Sequence, residues 1–303
     1  MKTAVITGSA GQDGTYLTAH LRNRGYTVIG LSRTGPVDIT DTEAVRRFLA
    51  ETQPAEVYHL AAHHHSSQDK LADEGAIFRQ SNAVHTIATA NFLEAIRRVS
   101  PVTRFFFAAS CHLFGAPTTP VQNETTPLNP DGLYGITKQA GLLVCHYYRQ
   151  KHGLFAAVGI LYNHESPLRP AQFVTRKIVQ AAVAIQAGRQ ANLILGDLDA
   201  TVDWGYAGDY ADAMHRILQL PAPDDFVVAT GEPHRVGEFV GAAFQAVGLD
   251  WHPYVTVDPT LVRPSKRLPL VGDSTKLRRM TGWEPHTTFK ELVGLMVTAE
   301  QRR

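Results

Sequence analysis

Disulfides cannot organise this chain. Its 303 residues hold only two cysteines, Cys111 and Cys145, both inside apolar stretches, so the fold must rest on a hydrophobic core and the thiols suit a reducing compartment. Long hydrophobic runs are missing too. No apolar stretch approaches the ~18–20 residues that cross a bilayer, and Met1-Lys2 leads straight into apolar residues with no room for a signal peptide. The expected location is the cytoplasm, with no membrane partner. An excess of either charge is also absent: 29 Lys and Arg stand against 28 Asp and Glu, a formal net charge of +1. With no clustered basic stripe, nucleic acid is not an expected partner. No internal repeat, low-complexity tract or extended linker is visible. What remains is a chain of 44% hydrophobic residues, enough to bury a full core and suited to small-molecule chemistry.

The most informative stretch is Thr7-Gly8-Ser9-Ala10-Gly11-Gln12-Asp13-Gly14, directly after the apolar Ala4-Val5-Ile6. A short strand feeding Gly8, Gly11 and Gly14 lets the backbone turn tightly, approach a pyrophosphate and offer it a helix N-terminus. Tyr16, Leu17 and Leu21 continue an apolar helix face, Gly25 closes the helix, and Tyr26 to Leu31 reads as a second strand. This is a dinucleotide cradle. After the second strand come Ser32-Arg33-Thr34, where an acidic residue would bind the ribose hydroxyls of NAD; hydroxyls around a guanidinium suit a 2′-phosphate instead. NADP is the expected cofactor, NAD the alternative, with Asp38 placed near the adenine.

Apolar strands and amphipathic helices then alternate: a strand from Glu56 to Leu60, a helix from about Ile77 to Val99, a strand from Arg104 to Ala109, a helix from about Tyr134 to His152, and a strand from Phe155 to Leu161. This is the α/β pattern of a Rossmann-type, doubly wound parallel sheet. Beyond Tyr162 the rhythm breaks at Pro167 and Pro170, with a helix near Phe173 to Ala187. A helix near Ala207 to Leu218 and a strand Phe226 to Val228 return to the sheet. The expected division is residues 1–162 with 204–230 as the dinucleotide-binding domain, and 163–203 with 231–303 as a smaller α/β substrate-binding region, with the ligand cleft between them.

Tyr134 and Lys138 form a Tyr-x-x-x-Lys pair. On a helix this spacing puts both side chains on one face, where the ammonium would lower the phenol pKa and hold a cofactor ribose. A tyrosinate so placed removes a hydroxyl proton while hydride leaves the same carbon. Ser110, ending a buried strand upstream, would hydrogen-bond the reacting oxygen.

The Ser-Tyr-Lys set with an N-terminal Gly-x-x-Gly-x-x-Gly resembles the extended short-chain dehydrogenase/reductase superfamily, whose members act on nucleotide sugars. More narrowly, Thr7 to Gly14, Tyr16-Leu17, Leu60-Ala61-Ala62, Asn163-His164-Glu165-Ser166-Pro167, Phe173 to Ile178 and Leu195 to Ala200 resemble the GDP-mannose 4,6-dehydratases, nearly end to end. The resemblance implies a nucleotide-sugar substrate, GDP-hexose above others, and a cofactor site that includes Gln12, Asp13, Leu60, Ala61 and Ala62. It implies substrate contacts from Asn163, Arg169, Thr175 and Lys177, from Arg263 at a phosphate, and from His65 in the cleft. His63-His64-His65 is not read as a metal site, because three adjacent rings cannot converge on one ion without unusual backbone.

Two departures stand out. Where the resembled dehydratases carry Ser-Thr-Ser-Glu-Leu-Tyr-Gly, this chain has Ala109-Ser110-Cys111-His112-Leu113-Phe114-Gly115, so His112 replaces the catalytic Glu. In the resembled mechanism oxidation at C4 acidifies the C5 proton, and the carboxylate removes it and helps expel the C6 hydroxyl. An imidazole can serve as base and conjugate acid at neutral pH, or return the proton to the other face and so epimerise. The second departure is Val202 before Asp203-Trp204, where those enzymes place an Arg. The resemblance thus implies a lyase making a 4-keto-6-deoxy sugar; a nucleotide-sugar epimerase, a 4-keto reductase and a non-catalytic NADP-binding sensor stay open. The segment between the second and third strands, Thr34 to Val37, is short. A homodimer or higher homo-oligomer through the helices near Ile77 to Val99 and Tyr134 to His152 is expected.

Overall fold

A computed structural model of the protein describes residues 1–63, 73–262 and 268–303. In chain order the first part contains β1 (Thr3–Thr7), α1 (Gln12–Asn23), β2 (Thr27–Leu31), α2 (Thr42–Thr52), β3 (Glu56–His59), α3 (Glu74–Asn82), a π-helical turn (Ala83–Ile87), α4 (Ala88–Val99), β4 (Arg104–Ser110), α5 (Leu133–His152) and β5 (Ala156–Leu161). Then follow β6 (Asn163–Glu165), α6 (Val174–Gln186), β7 (Leu193–Leu195), β8 (Thr201–Tyr206), α7 (Ala207–Gln219), β9 (Asp225–Val228), β10 (Pro233–Arg235), α8 (Val236–Ala246), β11 (Val255–Val257), α9 (Thr275–Thr281) and α10 (Phe289–Gln301).

Six strands form one parallel sheet in the order β2-β1-β3-β4-β5-β9. Its central strands are apolar along their length; Phe105, Phe106 and Phe107 of β4 are fully buried, as expected of strands covered by helices on both faces. The chain leaves β1 toward β2 on one side and toward β3 on the other, so the strand order reverses between β1 and β3. A crevice opens at the carboxyl ends of those strands, where ligands bind in such sheets.

Two of these elements correct the sequence reading. The stretch between β2 and β3 contains a helix, α2, in addition to the short loop. Asp41 caps it by accepting from the N–H groups of Glu43 and Ala44, and Val45 and Leu49 bury its inner face. The helix expected from Ile77 to Val99 starts earlier, at Glu74, and is interrupted by the π-helical turn.

The smaller region holds the sheet β10-β8-β6 and the pair β11-β7. α6, α8 and α10 pack with them around Ile178, Val240, Phe244 and Met296. Leu277 and Trp283 instead join the core under the main sheet, and the Trp283 indole N–H donates to the Asp209 carbonyl at 2.9 Å. Residues 231–303 therefore divide between the two cores.

Candidate active site

The loop after β1 builds the floor of the site. Gly8 sits at φ +71°, and a Cβ there would lie 2.9 Å from the Ala61 backbone, so only glycine lets the β1 and β3 loops close on each other. No side chain caps α1. Its first-turn N–H groups are thus left for an anionic ligand.

A cleft of about 550 Å³ runs from this loop to the smaller region, lined by Gly8, Gly11, Gln12, Asp13, Gly14, Leu60, Ala61 and Ala62 on one side. Ser110, His112, Tyr134 and Lys138 line its middle, and Asn163, Arg169 and Thr175 its far wall. Residues distant in sequence are brought together here as expected. Gly135 makes this approach possible: a Cβ on it would lie 2.5 Å from the His112 carbonyl oxygen, so α5 can carry Tyr134 up to the turn after β4.

Ser110 ends β4, 8% exposed, and its Oγ accepts the His112 N–H at 3.3 Å. The ring of His112 is open to the cleft and stands edge-on to Tyr134, 5.9 Å between centroids. The surrounding protein shifts its pKa downward, against a small opposing pull from Asp131, so it is neutral and able to accept a proton at pH 7. Lys138 is buried, its Nζ donating to the Ala108 carbonyl at 2.7 Å. Burial lowers its pKa to about 7.

The expected lowering of the Tyr134 pKa is not found. Burial moves the phenol upward, with Cys111 and Asp13 acting in the same direction; the Lys138 nitrogen bonds Ala108 and stays 5.8 Å from the Tyr134 ring centroid.

The far wall shows groups that sequence reasoning missed. Glu165, 2% exposed, accepts the Thr175 hydroxyl at 2.6 Å and lies 3.1 Å from Arg169 Nε. The four-residue spacing of Glu165 and Arg169 was the available signal. The Arg169 guanidinium also lies over the Phe173 ring at 3.6 Å. Gln12 and Asp13 turn their side chains onto β6: Gln12 Nε2 donates to the His164 carbonyl at 3.0 Å, Ser166 Oγ donates to Gln12 Oε1 at 2.8 Å, and Asp13 Oδ1 lies 3.0 Å from His164 Nε2.

Other expected residues fall elsewhere. Lys177 does not line the cleft; its ammonium donates to the Ile194 carbonyl at 2.8 Å. Two positions beyond Thr175 on a helix is about 200° around it, so the two cannot share a face. Ser32, Arg33 and Asp38 lie past the end of β2, whose Leu31 carbonyl accepts the Gly8 N–H. Arg33 is exposed there and makes no ion pair among the described residues. Asp38 accepts from the backbone N–H and the hydroxyl of Thr40. His65 and Arg263 lie outside the described residues. Val202 lines the cleft as an apolar surface.

Sheet order, uncapped glycine-loop helix and the Ser-Tyr-Lys set define an extended short-chain dehydrogenase/reductase scaffold. The profile of the family described as GDP-mannose 4,6 dehydratase matches residues 34–296. GDP-mannose 4,6 dehydratase 2 of Arabidopsis thaliana is 39% identical over 98% of this chain and 86% of its own length. Among solved structures, UDP-glucose 4-epimerase of Thermus thermophilus in complex with NAD is 26% identical, with a TM-score of 0.82 and 98% of both chains covered. RMD of Pseudomonas aeruginosa complexed with NADPH shares the fold, with a TM-score of 0.87 at 20% identity and full coverage of both chains. The chain belongs to the GDP-mannose 4,6-dehydratase family. Among the described residues no helix is long and apolar enough to cross a membrane.

Proposed function

We propose that this chain is an NADP-dependent nucleotide-sugar dehydratase acting on a GDP-hexose, with His112 in the place of the family's glutamate. One observation carries the reading: Ser110, His112, Tyr134 and Lys138 face the same cleft as the glycine loop. The first turn of α1, the Ala61 loop and Lys138 would hold NADP, with Arg33 at its 2′-phosphate. Bound there, NADP supplies a hydride acceptor, later a hydride donor, and a positive charge in its oxidised form.

As a phenolate, favoured by the positive charge that oxidised NADP would supply against the upward pull of burial, Tyr134 takes the proton of the sugar C4 hydroxyl, whose oxygen Ser110 also hydrogen-bonds, as the C4 hydride leaves for the cofactor. In the resulting 4-keto sugar, neutral His112 removes the C5 proton and, as the conjugate acid, gives it to the C6 oxygen as the C6–O bond breaks and water leaves. Asn163 and Arg169 position the sugar and its phosphates on the far wall.

A second reading rests on the His112 substitution itself. An imidazole that returns the proton to the opposite face would make an epimerase, and one with no proton-transfer role would leave a 4-keto reductase. Mass spectrometry of products from GDP-, UDP-, CDP- and dTDP-sugars separates them. Loss of one water with a GDP-hexose supports dehydration; unchanged mass at a new retention time shows epimerisation, and turnover only with added reduced cofactor shows a reductase.

The chain also suits a homodimer through α5 and the α3–α4 segment. Ile136, Leu143 and Tyr147 are exposed at seven- and four-residue spacing on α5, as are Phe78 and Ile87 nearby. Free, buried Cys111 and Cys145 suit a cytoplasmic location.

A further inference from the structure

His164 is hydrogen-bonded in a way that fixes its proton count. Its Nδ1 lies 2.6 Å from the Tyr162 carbonyl oxygen, which has no hydrogen to give, so Nδ1 must carry one. Its Nε2 lies 3.0 Å from Asp13 Oδ1, an oxygen that also receives Gln12 Nε2 at 3.2 Å. Two lone pairs facing each other at that distance would repel. The pair therefore holds a second proton, and the ring is further clamped by stacking on Tyr210, 4.5 Å between centroids.

This pair sits where charge matters most. Asp13 belongs to the first turn of α1 and lines the cleft beside Gly8, Gly11 and Gly14. A bare carboxylate at that helix end would oppose any phosphate the loop receives. Among the described residues lining the cleft, Asp13 and Glu165 are the carboxylates, and Arg169, Lys138, His112 and His164 are the groups that can be cationic; His112 is neutral above its lowered pKa. Arg169 is already beside Glu165.

We propose that the proton on the Asp13–His164 pair is a working part of the cofactor site: as an imidazolium, His164 cancels the Asp13 charge in the glycine-loop helix, so the cradle accepts an anionic diphosphate. His164 is on this view a positioning and charge-compensating residue, 151 positions from the loop it serves. The inference rests on the reading that the first turn of α1 receives the cofactor's phosphates. Asp13 raises the His164 pKa against the opposing effect of burial and of Arg169; Tyr210, the remaining titratable group against the ring, stays a neutral phenol. Affinity should therefore fall as pH rises through that raised value.

NADPH binding to the full chain tests this by nicotinamide fluorescence, with thermal melts of each variant. His164→Asn should weaken NADPH about tenfold, the equivalent of one uncompensated charge. The double variant Asp13→Asn/His164→Asn should bind at least fivefold more tightly than His164→Asn alone. A double variant as weak as the single one overturns the inference. Should His164→Asn fail to fold, Asp13→Asn decides alone, since it keeps the imidazole. In a Lys138→Met background, which removes the other cleft group titrating near 7 and coupled to Asp13, affinity between pH 7.5 and 9.5, above the cofactor phosphate pKa of about 6, should fall more steeply with Asp13 present than with Asp13→Asn. Superimposable profiles overturn the inference. A wild-type chain that binds no NADPH overturns the cradle reading first, and this inference with it.

Discussion

His112→Ala separates chemistry from stability unusually well. The imidazole is open to the cleft, and its described side-chain contact is the edge of Tyr134 at 5.9 Å; the bond from its backbone N–H to Ser110 Oγ survives in alanine. The loss is therefore under about 1 kcal/mol, or about 2 °C in Tm for a chain of this size. Removing a positioned proton acceptor costs on the order of 10²–10⁴-fold in rate, roughly 3–5 kcal/mol of barrier. The variant should still oxidise C4, visible as reduced cofactor in a single turnover. It should fail to release water or to exchange the C5 hydrogen with deuterated solvent.

The protonation state sharpens the test. With its pKa shifted below the ordinary value of about 6.5, His112 is the free base above neutrality and is lost as base when pH falls beneath that value. Wild-type elimination should carry this acid limb, and His112→Glu should move it toward the carboxylate range while recovering dehydration. Wild-type rates of exchange and water loss in His112→Ala would refute the assignment.

Tyr134→Phe removes one oxygen and should bind cofactor almost normally while losing about 10²–10⁴ in turnover; wild-type turnover would remove the mechanism. Arg33→Ala should weaken NADP far more than NAD by calorimetry, since the exposed guanidinium would meet only the 2′-phosphate. Lys138→Met should stabilise the fold at pH 7 by a few kcal/mol. The buried Lys138 has its pKa lowered to about 7, so between about 7 and 10.4 the unfolded chain holds a proton that the folded one lacks, and wild-type stability climbs with pH. Denaturant titrations should show the gap closing toward pH 10; a widening gap contradicts the burial argument. Leu143→Glu puts a charge on an exposed apolar face and should yield a monomer by sedimentation at concentrations where wild type is dimeric.

That Tyr134 and Lys138 line one cleft was legible because helix geometry is local: residues four apart must share a face. The same rule, applied to Thr175 and Lys177, would have removed Lys177 from the site in advance. α2 was readable from Asp41, Val45 and Leu49, but its few apolar positions are spread among charges. The π-helical turn leaves the apolar pattern of its neighbours intact and so gives no sequence signal. The Asp13–His164 contact joins α1 to β6 across 151 positions; both residues could be named from the sequence, but only the packed sheet brings the carboxylate to the ring. The direction of the Tyr134 shift was misread because four-residue spacing shows that Lys138 is near but not how fully the phenol is buried.

The two departures from the resembled enzymes belong to one electrostatic change. His112 and Val202 line the same cleft. Replacing a carboxylate by a neutral imidazole removes a negative charge, and replacing a guanidinium by an isopropyl group removes a positive one, so the formal charge of the lining is conserved. Its distribution is not. A neutral imidazole that takes the C5 proton would end as a cation beside the enolate, whereas a carboxylate would end neutral, so the substitution would turn a shift of negative charge into an ion pair. At Val202 a diphosphate would lack a charge-assisted partner of roughly 1.5–3 kcal/mol, leaving Arg169 as the arginine among the described lining residues. The change would therefore alter the charge facing the enolate and, independently, loosen the grip on a diphosphate, which is why the reaction and the nucleotide have to be tested by separate measurements.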